Sequence, residues 1–192
     1  TKKQNVAFCG YHGWHDWYLS SNLNNKNKIQ GFKTKGVPNV LKNTSFPFEY
    51  GDIKGLKKLI KSKNIGIIKM EFCRNTEPDI KFLKAVKSLT NKRKLILIFD
   101  ECTSGFRENF GGLHMKYGIF PDMAIFGKAL GNGYAITAVI GKKKIMKNTK
   151  DTFLSSTFWT ERIGPAAALA TLNEMRKTKS WLKITETGKF VR

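Results

Sequence analysis

The sequence predicts an α/β fold: a mostly parallel sheet with helices on both faces. Two observations predict it. Short runs that are apolar on both faces alternate with amphipathic segments of helical period, the pattern of strands covered on both sides. Several of these runs then stop at a glycine or at a charged residue. In open sheets of this kind ligands bind beyond the carboxyl ends of the strands, so those residues are the ones to read for function.

The elements follow in order. NVAFCG, residues 5–10, is a strand ending in glycine. GYHGWHDWY is too rich in Gly and His for a regular element, and residues 20–47 read as a long polar excursion loop. Asp52 is placed to cap a helix with Ile53, Leu56, Leu59 and Ile60 on one face. IGIIKMEF, residues 65–72, is a strand ending near Glu71, and Ile80, Leu83 and Val86 mark a second amphipathic helix. KLILIFD, MAIFG and AITAVIG are three further strands. A final helix is expected to open at Pro165, since proline suits a first helical turn. Residue 1 is Thr, and the closing GKFVR reads as a passage from helix to loop. The sequence is therefore expected to be a piece of a longer chain.

Composition narrows the classes. The 192 residues suit one domain of ordinary size or part of a larger one. No apolar run approaches the roughly 20 residues of a membrane span. Cys9, Cys73 and Cys102 have no metal-like spacing and read as reduced thiols of a cytoplasmic protein. The net charge of +21 invites a nucleic-acid reading, but its source speaks against one. It comes from 29 Lys against 6 Arg, spread over every segment, whereas base readout and stacking favour arginine.

Three strand ends carry charge: Glu71, the pair Asp100–Glu101, and Lys128 within FGKALGNG. A lysine held after an apolar strand is expected to be partly desolvated, which favours the neutral, nucleophilic amine. LILIFDE could also end in the acids of an ATPase, but the required GxxxxGK[ST] loop is missing from the sequence. A metal hydrolase built on His12 and His15 has no convincing third ligand. Pyridoxal phosphate chemistry uses Asp100 and Lys128 together: an amine for the cofactor aldehyde and a carboxylate for the pyridine nitrogen. A cofactor-binding relative without catalysis is the non-enzymatic alternative.

The ordered motifs resemble the class III (subgroup II) pyridoxal-phosphate-dependent aminotransferases. They are IFDE, GFR at Gly105–Arg107, Gly111–Gly112, Tyr117–Gly118, Pro121–Asp122 and GKALGNG, with YHG at Tyr11–Gly13 and FEY-x-D at residues 48–52. Within that family the pattern is most similar to the glutamate-1-semialdehyde 2,1-aminomutases. The resemblance implies the large domain of a fold-type I, aspartate-aminotransferase-like enzyme over residues 1–192. The family's phosphate cup would lie upstream and its small domain downstream. It implies that Lys128 is the internal-aldimine lysine and proton shuttle, and that Asp100 is the pyridinium partner. Tyr11 would stack on the ring, with His12 and Gly13 shaping its loop. Glu101 and Glu71 would be supporting acids. Thr157 in SSTF would reach the cofactor phosphate of the partner subunit of a homodimer with a shared active site. The substrate would be a small amino or oxo compound, exchanged by intermolecular transfer or rearranged as in an aminomutase. TFWTERIGPAAA, with Phe158 and Trp159 where the aminomutases have small residues, points to another amino or oxo compound, such as a sugar or cell-envelope precursor.

Overall fold

The computed structural model describes residues 3–23 and 29–191. Their contacts divide into two compact units. Unit 1 holds residues up to Glu71 together with Thr76–Ile98, and unit 2 holds Phe72–Asn75 and Phe99–Arg192.

Unit 1 contains β1 (Asn5–Cys9), the short helix α1 (Asp16–Leu19), β2 (Ser45–Pro47), α2 (Ile53–Ser62), β3 (Ile65–Glu71), α3 (Ile80–Arg93) and the first residues of β4 (Ile96–Asp100). Its strands are hydrogen-bonded in the order β2-β1-β3-β4. β1 runs parallel to both neighbours, with Ala7 opposite Phe46 on one side and Ile68 on the other. Ala7, Ile65, Ile68, Met70 and Leu97 are fully buried, as strands covered on both faces require. Leu56 and Ile60 of α2 and Phe82, Leu83 and Val86 of α3 are buried as well. Both helices start where an aspartate takes a free amide of the first turn: Asp52 accepts from Gly55 N at 2.8 Å and Asp79 from Phe82 N at 2.9 Å.

Unit 2 takes the last residues of β4 and adds α4 (Leu113–Lys116), β5 (Met123–Phe126), β6 (Ala138–Gly141), α5 (Lys143–Met146), α6 (Ile163–Thr178) and α7 (Ser180–Val191). Here the order is β4-β5-β6. β6 is antiparallel to β5, with Met123 opposite Gly141, so the expected mostly parallel sheet carries an antiparallel strand at this edge. Ala124, Phe126, Leu130 and Ala168 form a buried cluster against which Phe106, Ile136 and Leu172 pack.

Five expectations are corrected. The stretch after YHG does form a helical turn, α1, because Tyr18 turns inward and is buried. The excursion of residues 20–47 contains 3₁₀ turns at Ser20–Leu23 and Asn39–Leu41 and ends in a strand; its residues 24–28 lie outside the described residues. Ser45 and Phe46 are buried, and proline is tolerated at position 47 because β2 is a sheet edge. The strand read from Ala135 starts only at Ala138, since Ile136 is apolar for packing on the Phe126 cluster. α6 opens at Ile163, two residues before Pro165, because the carboxylate of Glu161 takes the amides of Ile163 (2.5 Å) and Gly164 (3.2 Å). α7 continues through Gly188 to Val191, a single glycine costing a helix only about 1 kcal/mol.

Removing a cap tests this account of the helices. Asp79→Ala should cost about 1 kcal/mol. Urea unfolding should show a lower midpoint at unchanged slope, with little loss of helix in the native baseline.

Candidate active site

β4 ends in Asp100, and the next residue continues along β5 through Glu101 N, which donates to Ile125 O at 2.8 Å. The two acids point to opposite sides, as successive residues of an extended chain do. Asp100 is 8% exposed, and one of its oxygens accepts Cys102 N at 3.2 Å. Lys128 stands two residues beyond β5, in a 3₁₀ turn. Its φ is +45°, a left-handed backbone that a non-glycine residue adopts at a cost of about 1–2 kcal/mol. The Lys128 ammonium donates to the hydroxyl of Thr103 at 3.3 Å. Unit 2 thus brings the carboxylate end of β4, the loop that follows it and Lys128 together. Lys128 is exposed, which corrects the partial desolvation expected of it.

Glu101 has no solvent exposure at all. Its carboxylate accepts from Leu113 N at 3.0 Å, His114 N at 3.0 Å, His114 Nδ1 at 2.7 Å and the Ser104 hydroxyl. An ionised carboxylate only accepts, so the imidazole proton sits on Nδ1. Burial pushes the carboxyl toward protonation. The hydrogen bonds from the His114 ring, from Ser104 and from the two amides outweigh that push and hold it below the usual carboxylate range. Two glycines of the motifs make room for this packing. A Cβ at Gly105 would stand 2.7 Å from both the Glu101 carbonyl oxygen and the Phe126 ring, and one at Gly112 would overlap the His114 imidazole.

Two cavities of unit 2 share Lys128 as a wall. One, of about 480 Å³, is also lined by Phe106, Arg107, Asn132 and Glu174. The other, of about 740 Å³, is also lined by Tyr134, Ser156, Phe158, Trp159 and Glu161. Thr157 is exposed between two residues that line the second.

The remaining predicted residues belong to unit 1. Tyr11 N donates to Glu71 Oε2 at 2.9 Å, and the Tyr11 ring lies 6.0 Å from Trp14 and 6.1 Å from Phe32. His12 is buried, with Nε2 3.1 Å from Cys9 O. Gly13 has φ +93°, a conformation open to glycine. Burial, and after it the Glu71 charge, pushes the Cys9 thiol up to about 11. Among the described residues, no group of three or more His, Cys, Asp or Glu could hold a metal ion. Nor is any helix there long and apolar enough to cross a membrane.

Sequence reasoning missed Thr103, Ser104 and His114. For His114 a signal existed: a histidine two residues after a Gly-Gly pair. Thr103 carries no such signal, because its role depends on which way the loop folds back.

The model of the aminotransferase class-III family matches residues 75–192. The chain belongs to that family. It is 36% identical over 194 residues to the glutamate-1-semialdehyde 2,1-aminomutase of Nitrosopumilus maritimus, covering 94% of this chain and 45% of that protein. It is 35% identical over 188 residues to the 3-aminobutyryl-CoA aminotransferase of Cloacimonas acidaminovorans, covering 93% and 42%. Among solved structures it is similar to an omega-transaminase from Sphaerobacter thermophilus, with a TM-score of 0.78 at 23% identity over 91% of this chain and 44% of that one. An S-selective transaminase from Arthrobacter sp. gives 0.79 at 16%, over 100% and 48%. These likenesses show that the class-III chain has the transaminase fold. It spans less than half the length of the curated relatives it matches.

Two measurements test the electrostatics. The folded value of Glu101 lies below its unfolded one, so the stability it adds is complete above the ordinary carboxylate range and is lost as pH falls through the lowered value. Thermal unfolding between about pH 5 and pH 2 should therefore lose less stability in Glu101→Gln than in the unaltered protein. The Cys9 thiol, raised from 9.0 to about 11, should hold roughly a hundredfold less thiolate than a free cysteine at pH 8 and alkylate correspondingly slowly with iodoacetamide.

Proposed function

We propose that this class-III chain carries part of the large domain of a pyridoxal-phosphate-dependent enzyme that transfers amino groups. One observation carries the reading. A buried carboxylate, Asp100, ends β4, and an amine, Lys128, follows the neighbouring β5, with the loop between them touching both. Among the described residues that amine is engaged by a neutral hydroxyl, Thr103, which leaves it available to a carbonyl carbon. The donor set therefore fits the cofactor: a lysine side chain within reach of a carbonyl carbon and a rigid carboxylate on adjacent strand ends. When bound, pyridoxal phosphate supplies an aldehyde carbon and a protonated ring able to accept the electron pair left on a substrate carbon. Asp100 would hold the proton at the pyridine nitrogen. Lys128 Nζ would hold the aldehyde carbon, with water as the leaving group, until the substrate amine takes its place there; the freed Lys128 amine would then take and return the proton at the substrate Cα.

The other roles follow the family pattern of the sequence: Tyr11 against the ring, His12 and Gly13 shaping its loop, Thr157 at the cofactor phosphate of a partner subunit. A homodimer is part of this reading. The segment that carries Thr157 supports it, with Phe153 93% and Trp159 69% exposed. A cytoplasmic site is supported by the free cysteines Cys9, Cys73 and Cys102.

Both the named aminomutase and the named aminotransferase relatives stand at 35–36% identity, so identity does not choose between them. The cavity bounded by Lys128, Phe158 and Trp159 favours transfer to a separate oxo compound over rearrangement of a small semialdehyde. In an amino-acceptor screen of the holoenzyme, the amino group should appear on a second carbon skeleton. Product kept on the original skeleton would make it an aminomutase.

Adding pyridoxal phosphate to the holoenzyme's apo form should produce a visible absorbance band that Lys128→Ala lacks. Asp100→Asn should keep the band and lower kcat by about 10²-fold or more, in line with the loss of one preorganised electrostatic partner.

A further inference from the structure

We propose that Glu101, His114 and Ser104 form a buried positioning cluster that sets where the Asp100 carboxylate and the Lys128 amine stand. The inference rests on the cofactor reading above and adds to it three residues that make no direct contact with the reacting atoms.

The loop after β4 leaves the strand at Asp100 and returns at α4. Left to its own hydrogen bonds, such a glycine-rich stretch would have many conformations. Glu101 draws both of its ends together. Its backbone is fixed twice, through N to Ile125 O on β5 at 2.8 Å and through O to Gly105 N at 2.7 Å. Its side chain gathers the Ser104 hydroxyl from the outgoing arm and Leu113 N, His114 N and His114 Nδ1 from the returning one. Thr103, next to Ser104, is the residue that accepts from Lys128, and Cys102, next to Glu101, is the one that donates to Asp100. Each of the two functional groups is thus one residue away from an atom held by the cluster. A buried ion is stable only when its charge is fully solvated by donors, so the carboxylate tolerates little displacement of Ser104 or His114. That intolerance is what makes the cluster a reference point rather than a loose brace.

The test uses the holoenzyme and three variants. Glu101→Gln keeps the shape of the side chain, removes the charge and turns one acceptor into a donor that faces other donors. In folded, cofactor-loaded protein its absorbance band should titrate with a midpoint displaced by at least half a pH unit. The kcat should fall at least tenfold, with KM for the amino donor within twofold of the parent value. Glu108→Gln removes the loop's exposed pair with Lys116 (2.9 Å) and should move neither readout. If Glu101→Gln does not fold, Ser104→Ala, which removes one donor of the four, should displace the midpoint in the same direction. A lower melting temperature with midpoint and kcat unmoved would make the cluster structural only and overturn the proposal. So would a displacement by Glu108→Gln as large as that by Glu101→Gln. Should the parent protein show no Lys128-dependent band, the cofactor reading itself fails and takes this inference with it.

Discussion

A carboxylate with no path to water constrains everything around it. Glu101 is such a group, and unit 2 is arranged to keep it ionised. Removing its charge from solvent costs several kcal/mol, and each donor left without an acceptor would cost about 1–3 kcal/mol more. Against a typical total stability of 5–15 kcal/mol, neither the acid nor its partners can be changed singly at small cost. The turn of the loop and the start of α4 both follow from satisfying that one group.

Asp100 shows the opposite arrangement one residue earlier. It is buried at the side, yet its carboxylate is held by a backbone amide of the loop and stands at the end of its strand. The pleat separates the two acids, giving adjacent residues of the same chemistry different surroundings. One acid is consumed by the fold, and the other is presented. Lys128 is presented in a related way: the short turn after β5 forces its backbone into the left-handed region, and the side chain extends to the loop rather than along the sheet.

Much of this was legible in the sequence, for identifiable reasons. The strands at residues 5–9, 65–71, 96–100 and 123–126 announce themselves because both faces are apolar, and the helices at 53–62 and 80–93 by a 3.6-residue apolar period, the first also by the aspartate before it. The places of Asp100 and Lys128 in the fold were legible because the first ends such a strand and the second comes two residues after one. β2 was hidden, since three residues with a proline and a serine carry no strand pattern and become one only by pairing with β1. The early start of α6 was hidden because its cap comes from Glu161, a side chain that fills the role from outside the usual position. Thr103 was hidden because a hydrogen bond spanning 25 residues leaves no trace in local spacing.

The packing at Gly112 ties separate positions to one another. A side chain there would overlap the His114 ring and come within 2.9 Å of the Glu101 carboxylate. Residues 101, 112 and 114 are consequently a coupled set in which substitution at one site is admissible only with matching replacements at the others. For class-III chains that share this turn, the geometry predicts covariation: a homologue with a bulkier residue in place of Gly112 must have moved or lost the imidazole, and with it the principal donor to the buried acid.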